Sequence, residues 1–584
     1  MTKKDRFLKY LGWAAFAFSA SAFFLPLMNP DIFWQLSAGK YAASHLVPPR
    51  FDFLSWPLPA KGWVDLGWAS QLVYYLAYKA GGLRALFFLK AALLCLVLLI
   101  FRGLALLYKR AGLLPLALPV LAAVLAGGSD LGPENFTLLF FAAALYVLEK
   151  GRLEGFPRGR AFRFGAFLFF ALWVNLDPGC FYGLALPGLY AAGEFFSELL
   201  PRLKGGPAAG HGRGLEYLKL FFIGLAATLV NPYGWKLYPE LAGHVFRAQA
   251  AGEYLRGWAA GRADPYHWLC VLAVLAVSAG LAYFALWRRH AVHAHLACLL
   301  FLVWASSERS GSLPFLLLAG LAFTLSLPWG GLPPLRGEKL LHGAASSWLL
   351  LGVWFYASFI WPHYSQGASF FRASSGNLAQ FLKSNKKELS GLRLYNNADW
   401  GGWLGWELAP DYKVFLDGRR LFEGREQELA EARASVGTWS GLIEKYKFDL
   451  MLVSLNEPMV PVRQSLKGGK SDLFWRPAYL FYLPKKDWAV VYWDYRVAAV
   501  VRRSALPAAW IAEREYLYLR PLDIPNLSQP VLAGEVPLSG LDRELRLFLD
   551  SHPGGKKASS NTALVSFCEL MKEACAKKGA RCLL

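Results

Sequence analysis

Cysteine is scarce in this chain, seven in 584 residues, and none has the C-x-x-C spacing of a structural zinc site. Cys95, Cys180, Cys270 and Cys298 lie inside apolar runs and read as small buried hydrophobes. Cys568, Cys575 and Cys582 recur at a regular spacing near the C-terminus, where one disulfide plus a spare thiol and three unpaired thiols are both open readings. Acidic residues are also few: 41 Asp and Glu stand against 62 Lys and Arg, a net charge of +21. Only 18% of residues are charged and 55% are hydrophobic, where soluble domains carry about 25% charged residues. That balance excludes an ordinary soluble protein. The basic residues are scattered in short clusters between apolar runs rather than gathered in one patch, which speaks against a nucleic-acid partner. The first apolar run lacks an A-x-A-like cleavage site and reads as a retained helix.

The long apolar runs dominate what is present. A spanning helix needs about 20 apolar residues, and about eleven stretches qualify when tilt and burial are allowed for: 7–27, 84–107, 113–128, 134–149, 162–176, 180–200, 217–231, 266–287, 291–306, 312–328 and 340–361. The shorter stretch 66–80 precedes Gly81-Gly82 and reads as an interfacial helix with Trp68, Tyr74, Tyr75 and Tyr78 at headgroup depth. Lys3, Lys4 and Arg6 precede the first run, and most Lys and Arg fall in alternate connections, so the N-terminus is expected in the cytoplasm. The expected fold class is therefore a polytopic α-helical membrane domain, residues 1–361, with a large first outside loop at 28–83. The chain is expected in a membrane, with its C-terminal part extracytoplasmic.

After Trp361 the character changes. Residues 362–390 read as a linker and 391–520 as a small extracytoplasmic α/β domain. Strands are expected at 392–395, 413–416 and 448–453, helices at 402–408, 424–436 and 438–447, and a hairpin around Asp494. Alternating strands and helices predict a mostly parallel sheet. Residues 521–584 read as a helical tail, with helices at 541–549 and 562–577.

Unusual polar residues gather on the outside connections. Asp31 follows the first run directly, among aromatics, where a held carboxylate can take a proton from a substrate or bind a divalent cation such as Mg or Mn. Asp52 and Asp65 lie on the same loop and are the other catalytic candidates. Gln35, Glu134, Asn175, Asp177, Arg256 and Arg309 are candidates for substrate binding, the two arginines for a phosphate. In the C-terminal part, Asp399-Trp400 and Asp417-Gly418-Arg419 follow expected strands, a place where α/β folds bind ligands, so Asp399, Trp400, Asp417 and Arg419 are acceptor-side candidates. Each has a plain structural reading too: Asp52 as a turn cap, Asp65 as the N-cap of the following helix, Asp177-Pro178-Gly179 and Asp417-Gly418-Arg419 as turns.

These segments resemble the GT-C class of polytopic glycosyltransferases, and more closely a group of bacterial GT-C-like membrane proteins. The matching residues are Asp31-x-x-Trp34-x-Leu36-x-x-Gly39, Val47-Pro48, Asp52-Phe53-x-Ser55, Trp63-Val64 and Trp68. Pro133-x-Asn135-Phe136-Thr137, Trp173-x-Asn175, Asn231-Pro232-Tyr233-Gly234, Asp399-Trp400-Gly401-Gly402 and Phe415-x-Asp417-Gly418-Arg419 extend the resemblance across about residues 7–503. It implies a place in the bacterial inner (plasma) membrane and transfer of a sugar from a polyprenyl-phosphate donor to a glycan, lipid or protein acceptor at the extracytoplasmic face. Gln35 stands where relatives carry His, and Leu66-Gly67 where they carry His-Glu before a Trp. Those differences leave an alternative: a catalytically inactive GT-C-like scaffold that organises an envelope or glycan-assembly complex. A transporter is a weaker reading, because the runs hold few charges.

Overall fold

The computed structural model describes residues 3–24, 27, 29–58, 61–128, 130–203, 212–246, 295, 298–299, 313–326, 376–433, 435–456, 458–465, 471–494, 496–527, 530–531, 535–551, 569 and 572. The expected runs at 266–287 and 340–361, most of 291–306, the linker up to residue 375, all of the expected helix at 562–577 but residues 569 and 572, and Cys270, Cys568, Cys575 and Cys582 lie outside the described residues. The chain divides into two compact units. One comprises residues 1–29, 38–50 and 64–369, the other 30–37, 51–63 and 370–584.

The first unit is helical. Its long helices run Lys3–Ser21, Trp68–Leu107, Leu114–Gly128, Glu134–Glu154, Arg160–Leu176, Cys180–Leu203, Gly212–Ala227 and Leu313–Ser326. Helices thus form over the apolar runs expected to make them. Among the described residues one helix, Trp68–Leu107, is long and apolar enough by length and composition to cross a membrane. It carries the stretch expected to be interfacial and the run that follows it, joined across a kink. Gly81 (φ −156°, ψ 21°) and Gly82 (φ 62°, ψ −150°) leave helical geometry there. Gly82 adopts a conformation that a side chain would strain.

Leu98, Phe101, Leu121, Phe141, Leu145 and Trp173 are fully buried in the core of this unit. Its outer surface is also apolar: Phe88, Leu96, Leu99, Phe164, Leu168, Leu172, Phe196 and Phe222 are exposed. The interior contains one network that composition alone did not bring out. Buried Glu149 accepts hydrogen bonds from Tyr108, Tyr190 and Arg152 and shares one with His295 Nε2 at 2.7 Å. His295 stacks on Phe323 and shares its Nδ1 with Ser326.

The second unit is built on a four-stranded sheet in the order β1 (Leu394–Tyr395), β2 (Leu450–Ser454), β6 (Val497–Arg502), β5 (Trp488–Trp493). A separate two-stranded ribbon pairs β3 (Met459–Ser465) with β4 (Ser471–Pro477). β5 and β6 are wholly apolar and buried on both faces apart from the β6 end. Their connection turns on Asp494, whose carboxylate accepts the backbone N–H groups of Arg496 and Val497.

The sheet is less parallel than expected. β1–β2 is parallel, but β2–β6 and β6–β5 are antiparallel. The tight turn at Asp494 forces the hairpin to be antiparallel, and β6 then enters beside β2. The stretch 413–416 does not join this sheet. Val414 pairs with Ser55, donating to the Leu54 carbonyl and accepting from Trp56 N, both at 3.1 Å. Helix Glu423–Ala432 stops before Val436–Tyr446 because Ser435 and Thr438 form a capping box that starts a new helix.

Candidate functional site

Residues from the early chain and from the 415–419 turn meet in the second unit. Asn396 makes this turn possible. Fully buried, its side-chain oxygen accepts from Phe415 N and its amide donates to the Leu416 carbonyl, both at 2.8 Å. These bonds satisfy the backbone of an extended segment that has only one bridge partner. Gly401 lets the following helix, Ala398–Leu408, approach so closely that a Cβ there would collide with the Leu416 carbonyl.

Arg419 is clamped at the end of the turn. Its Nε donates to both Asp417 oxygens (2.8 and 3.0 Å), and its Nη2 donates to Asp417 Oδ2 and to Asp52 Oδ1, each at 2.8 Å. All three side chains are at most 1% exposed. The guanidinium also lies over Trp63, 4.9 Å from the ring centre. Burial alone would lower the Arg419 pKa. Asp417 and Asp52 outweigh it and raise the value above that of a free guanidinium. Asp52 is committed further, accepting Leu54 N, Ser55 N and the Ser55 hydroxyl. One cation between two carboxylates leaves the triad with one negative charge.

Asp31 lies beside this triad. It is half-buried, in the turn that starts helix Ile32–His45, and its carboxylate rests against exposed Gly418. Any side chain at residue 418 would overlap that carboxylate. Trp34 packs edge-on against Trp63. Arg419 Nη1, Trp34 Nε1 and Gln35 Oε1 are buried and have no hydrogen-bond partner among the described residues. An unsatisfied buried polar atom costs about 1–3 kcal/mol, so these two donors and one acceptor would be stabilised by a polar partner.

Asp399 is exposed and Trp400 half-buried in the first turn of helix Ala398–Leu408. Asp52 and Asp417 are both spent on Arg419, and among the described residues no group of three or more His, Cys, Asp or Glu gathers around Asp31 or elsewhere.

The remaining sequence candidates belong to the first unit. Buried Asp65 accepts Gln71 Nε2 at 2.6 Å and Gly67 N at 3.3 Å, where helix Trp68–Leu107 begins. Asn175 accepts Trp68 Nε1 and donates to the Ala171 and Val230 carbonyls. Asp177 accepts the Thr137 hydroxyl at 2.6 Å and Gly179 N at 2.8 Å, while Trp173 donates to Thr137. Burial pushes the Asp177 carboxyl up to about 6, and its two hydrogen bonds oppose the shift. Glu134 is exposed in the first turn of its helix. Arg256 and Arg309 lie outside the described residues.

What the sequence reading missed is the partnership rather than the residues. Asp52 and Arg419 stand 367 positions apart, and no local spacing signals such a pair. Ser55 and Trp63, which brace it, entered only through the family resemblance and not as site candidates.

No family model and no curated protein matches the chain. Two solved structures are similar over most of its length. The crystal structure of the Archaeoglobus fulgidus oligosaccharyltransferase in complex with Zn and sulfate is 12% identical, covers 92% of this chain and 83% of its own, and has a TM-score of 0.49. The crystal structure of ArnT from Cupriavidus metallidurans bound to undecaprenyl phosphate is 14% identical, covers 86% of this chain and 99% of its own, and has a TM-score of 0.42. Both scores lie below one half, so the fold and the functional reading stand on this chain's own residues.

Proposed function

We propose that the chain is a membrane-embedded glycosyltransferase that moves a sugar from a polyprenyl-phosphate donor to an acceptor at the extracytoplasmic face. The observation that carries this reading is Asp31. Asp31 is half-buried, and its carboxylate lies against Gly418 in the turn whose Arg419 is locked by Asp52 and Asp417. Asp31 acts as general base, removing the proton from an acceptor hydroxyl or amide as that atom attacks the anomeric carbon. The bond from that carbon to the phosphate oxygen breaks, and the polyprenyl phosphate leaves with the electron pair.

Asp52, with its oxygens committed to four donors, is a positioning residue in this scheme. Arg419 Nη1 and Trp34 Nε1 are buried donors without a partner among the described residues. Arg256 and Arg309 are the candidates for neutralising the leaving phosphate, on sequence grounds.

Two features support the membrane setting. The helices of the first unit present Phe, Leu and Val on their outer surfaces as well as in their core, which in water would be an aggregation surface. The mid-helix acid Glu149 turns inward, into a network with Tyr190 and His295.

The test is a comparison of surface glycans by mass spectrometry in cells carrying the wild type, the Asp31→Asn variant or no protein. A glycan that is lost in both the variant and the deletion, with the variant expressed and folded normally, is the expected result. Normal glycans in the Asp31→Asn cells refute the role of Asp31. A deletion phenotype rescued by that variant favours the scaffold instead.

A further inference from the structure

In the second unit the β3–β4 ribbon breaks the usual rule for a half-covered antiparallel pair, apolar inside and polar outside. Its register places Pro461 opposite Trp475, Met459 opposite Pro477 and Arg463 opposite Leu473, so these residues share one face. The other face carries Val460, Val462 and Phe474, all half-buried, and Arg476, which is paired with Asp523 at 3.3 Å. The first face should therefore be polar, and it is not. Trp475 and Leu473 are each 54% exposed and Met459 38%, with Pro461 exposed between them. Arg463 on this face is exposed, and in sequence the stretch 463–472 carries Arg463, Lys467 and Lys470 against one acid, Asp472.

We infer that this face of the ribbon docks on an anionic lipid bilayer. A tryptophan, a leucine and a methionine set on one face with a basic side chain match the layered chemistry of the membrane–water interface. There an indole ring sits at headgroup level, aliphatic groups reach the acyl boundary, and cations meet lipid phosphates. A protein partner of similar shape would leave the basic charge uncompensated unless it were acidic. A bilayer of anionic lipid satisfies the apolar and the basic side chains at once. It is also supplied at high effective concentration by the apolar helices on the same chain. The inference rests on the membrane setting of those helices and not on Asp31 chemistry. Incorporation of the protein into nanodiscs tests that setting first.

The full chain is reconstituted in nanodiscs of phosphatidylcholine containing phosphatidylglycerol, with or without bromine on the acyl chains. Subtracting the emission of the Trp475→Phe variant from that of the wild type isolates Trp475. The expected result is that this difference emission loses most of its intensity in brominated discs, and that less is lost in pure phosphatidylcholine discs or with Arg463→Gln. A photo-crosslinker placed at residue 475 is expected to attach to lipid, while the same group at exposed Val436 does not. Equal Trp475 emission in brominated and plain discs overturns the inference. So does crosslinking of residue 475 to protein only.

Discussion

Replacing Arg419 by methionine removes the one cation between Asp52 and Asp417 and leaves two carboxylates buried and facing each other. Taking one partner from a buried ion pair costs about 3–5 kcal/mol, and here two acids are orphaned by one substitution. At about 1.4 kcal/mol per factor of ten, the local opening equilibrium should shift by at least about two decades. The shift should be confined to the segments the triad holds. Hydrogen–deuterium exchange with mass spectrometry on the solubilised protein reads it directly. Peptides covering 51–63 and 412–420 should lose protection by about a hundredfold, while the buried β5–β6 hairpin keeps its rates.

Arg419→Lys should fall between the two, because an ammonium keeps the charge but cannot reach three oxygens in a planar fork. Adding Asp52→Asn and Asp417→Asn to Arg419→Met removes the orphan charges, so part of the protection should return. Unchanged exchange in Arg419→Met, or a triple variant that exchanges no more slowly than the single one, refutes the argument that charge pairing holds this turn.

Three further perturbations follow from the geometry. Gly418→Ala places a methyl group inside the Asp31 carboxylate. It should abolish the glycan phenotype as Asp31→Asn does, with exchange in peptides 51–63 unchanged; full glycan output would show that Asp31 need not be held there. Burial raises the Asp177 carboxyl to about 6, so the folded state binds a proton that the unfolded chain, titrating near 4, has already released. Stability from this group is present below about 4 and is lost as pH rises to about 6, a difference of order 3 kcal/mol. Asp177→Asn should therefore melt higher than wild type at pH 8 and match it more closely at pH 4.5; an identical pH profile for the two proteins would sink this. Gly82→Ala forces a side chain into φ 62°, ψ −150° and should cost about 1–3 kcal/mol, seen as a lower melting temperature. A melting temperature equal to wild type would mean the kink relaxes freely.

Local signals in the sequence carried the helices and the turns. Gly81-Gly82 marked a break, and the chain kinks there because Gly82 takes a backbone conformation that other residues avoid. Asp494 marked a hairpin, and its carboxylate caps two backbone N–H groups of that turn. Patterns that depend on distant partners were not legible. The run Lys413-Val414-Phe415-Leu416 has strand composition, but composition does not say which edge it will meet, and it meets Leu54–Trp56 rather than the sheet. The β3–β4 ribbon escaped notice because Pro458 and Pro461 interrupt its alternation, and proline is tolerated in a two-stranded ribbon where it is not in a central strand.

The same contrast explains how the site is put together. Asp31 and Asp52 read as two acids on one loop, equivalent in kind. Folding separates their roles through a single arginine. Arg419 draws Asp52 into the interior, where its oxygens accept from four donors, and fixes the turn whose next residue back, Gly418, has no side chain. Asp31 occupies the space that glycine leaves. An acid spent on a buried guanidinium cannot accept a substrate proton, so in the proposed reaction Asp52 is structural and the half-exposed Asp31 is the base. In that proposal the two roles are divided by residues 417–419, some 370 positions downstream. That is why substitutions at residues 418 and 419 should separate the two roles: the first should act on the chemistry alone, the second on the stability of the turn before the chemistry.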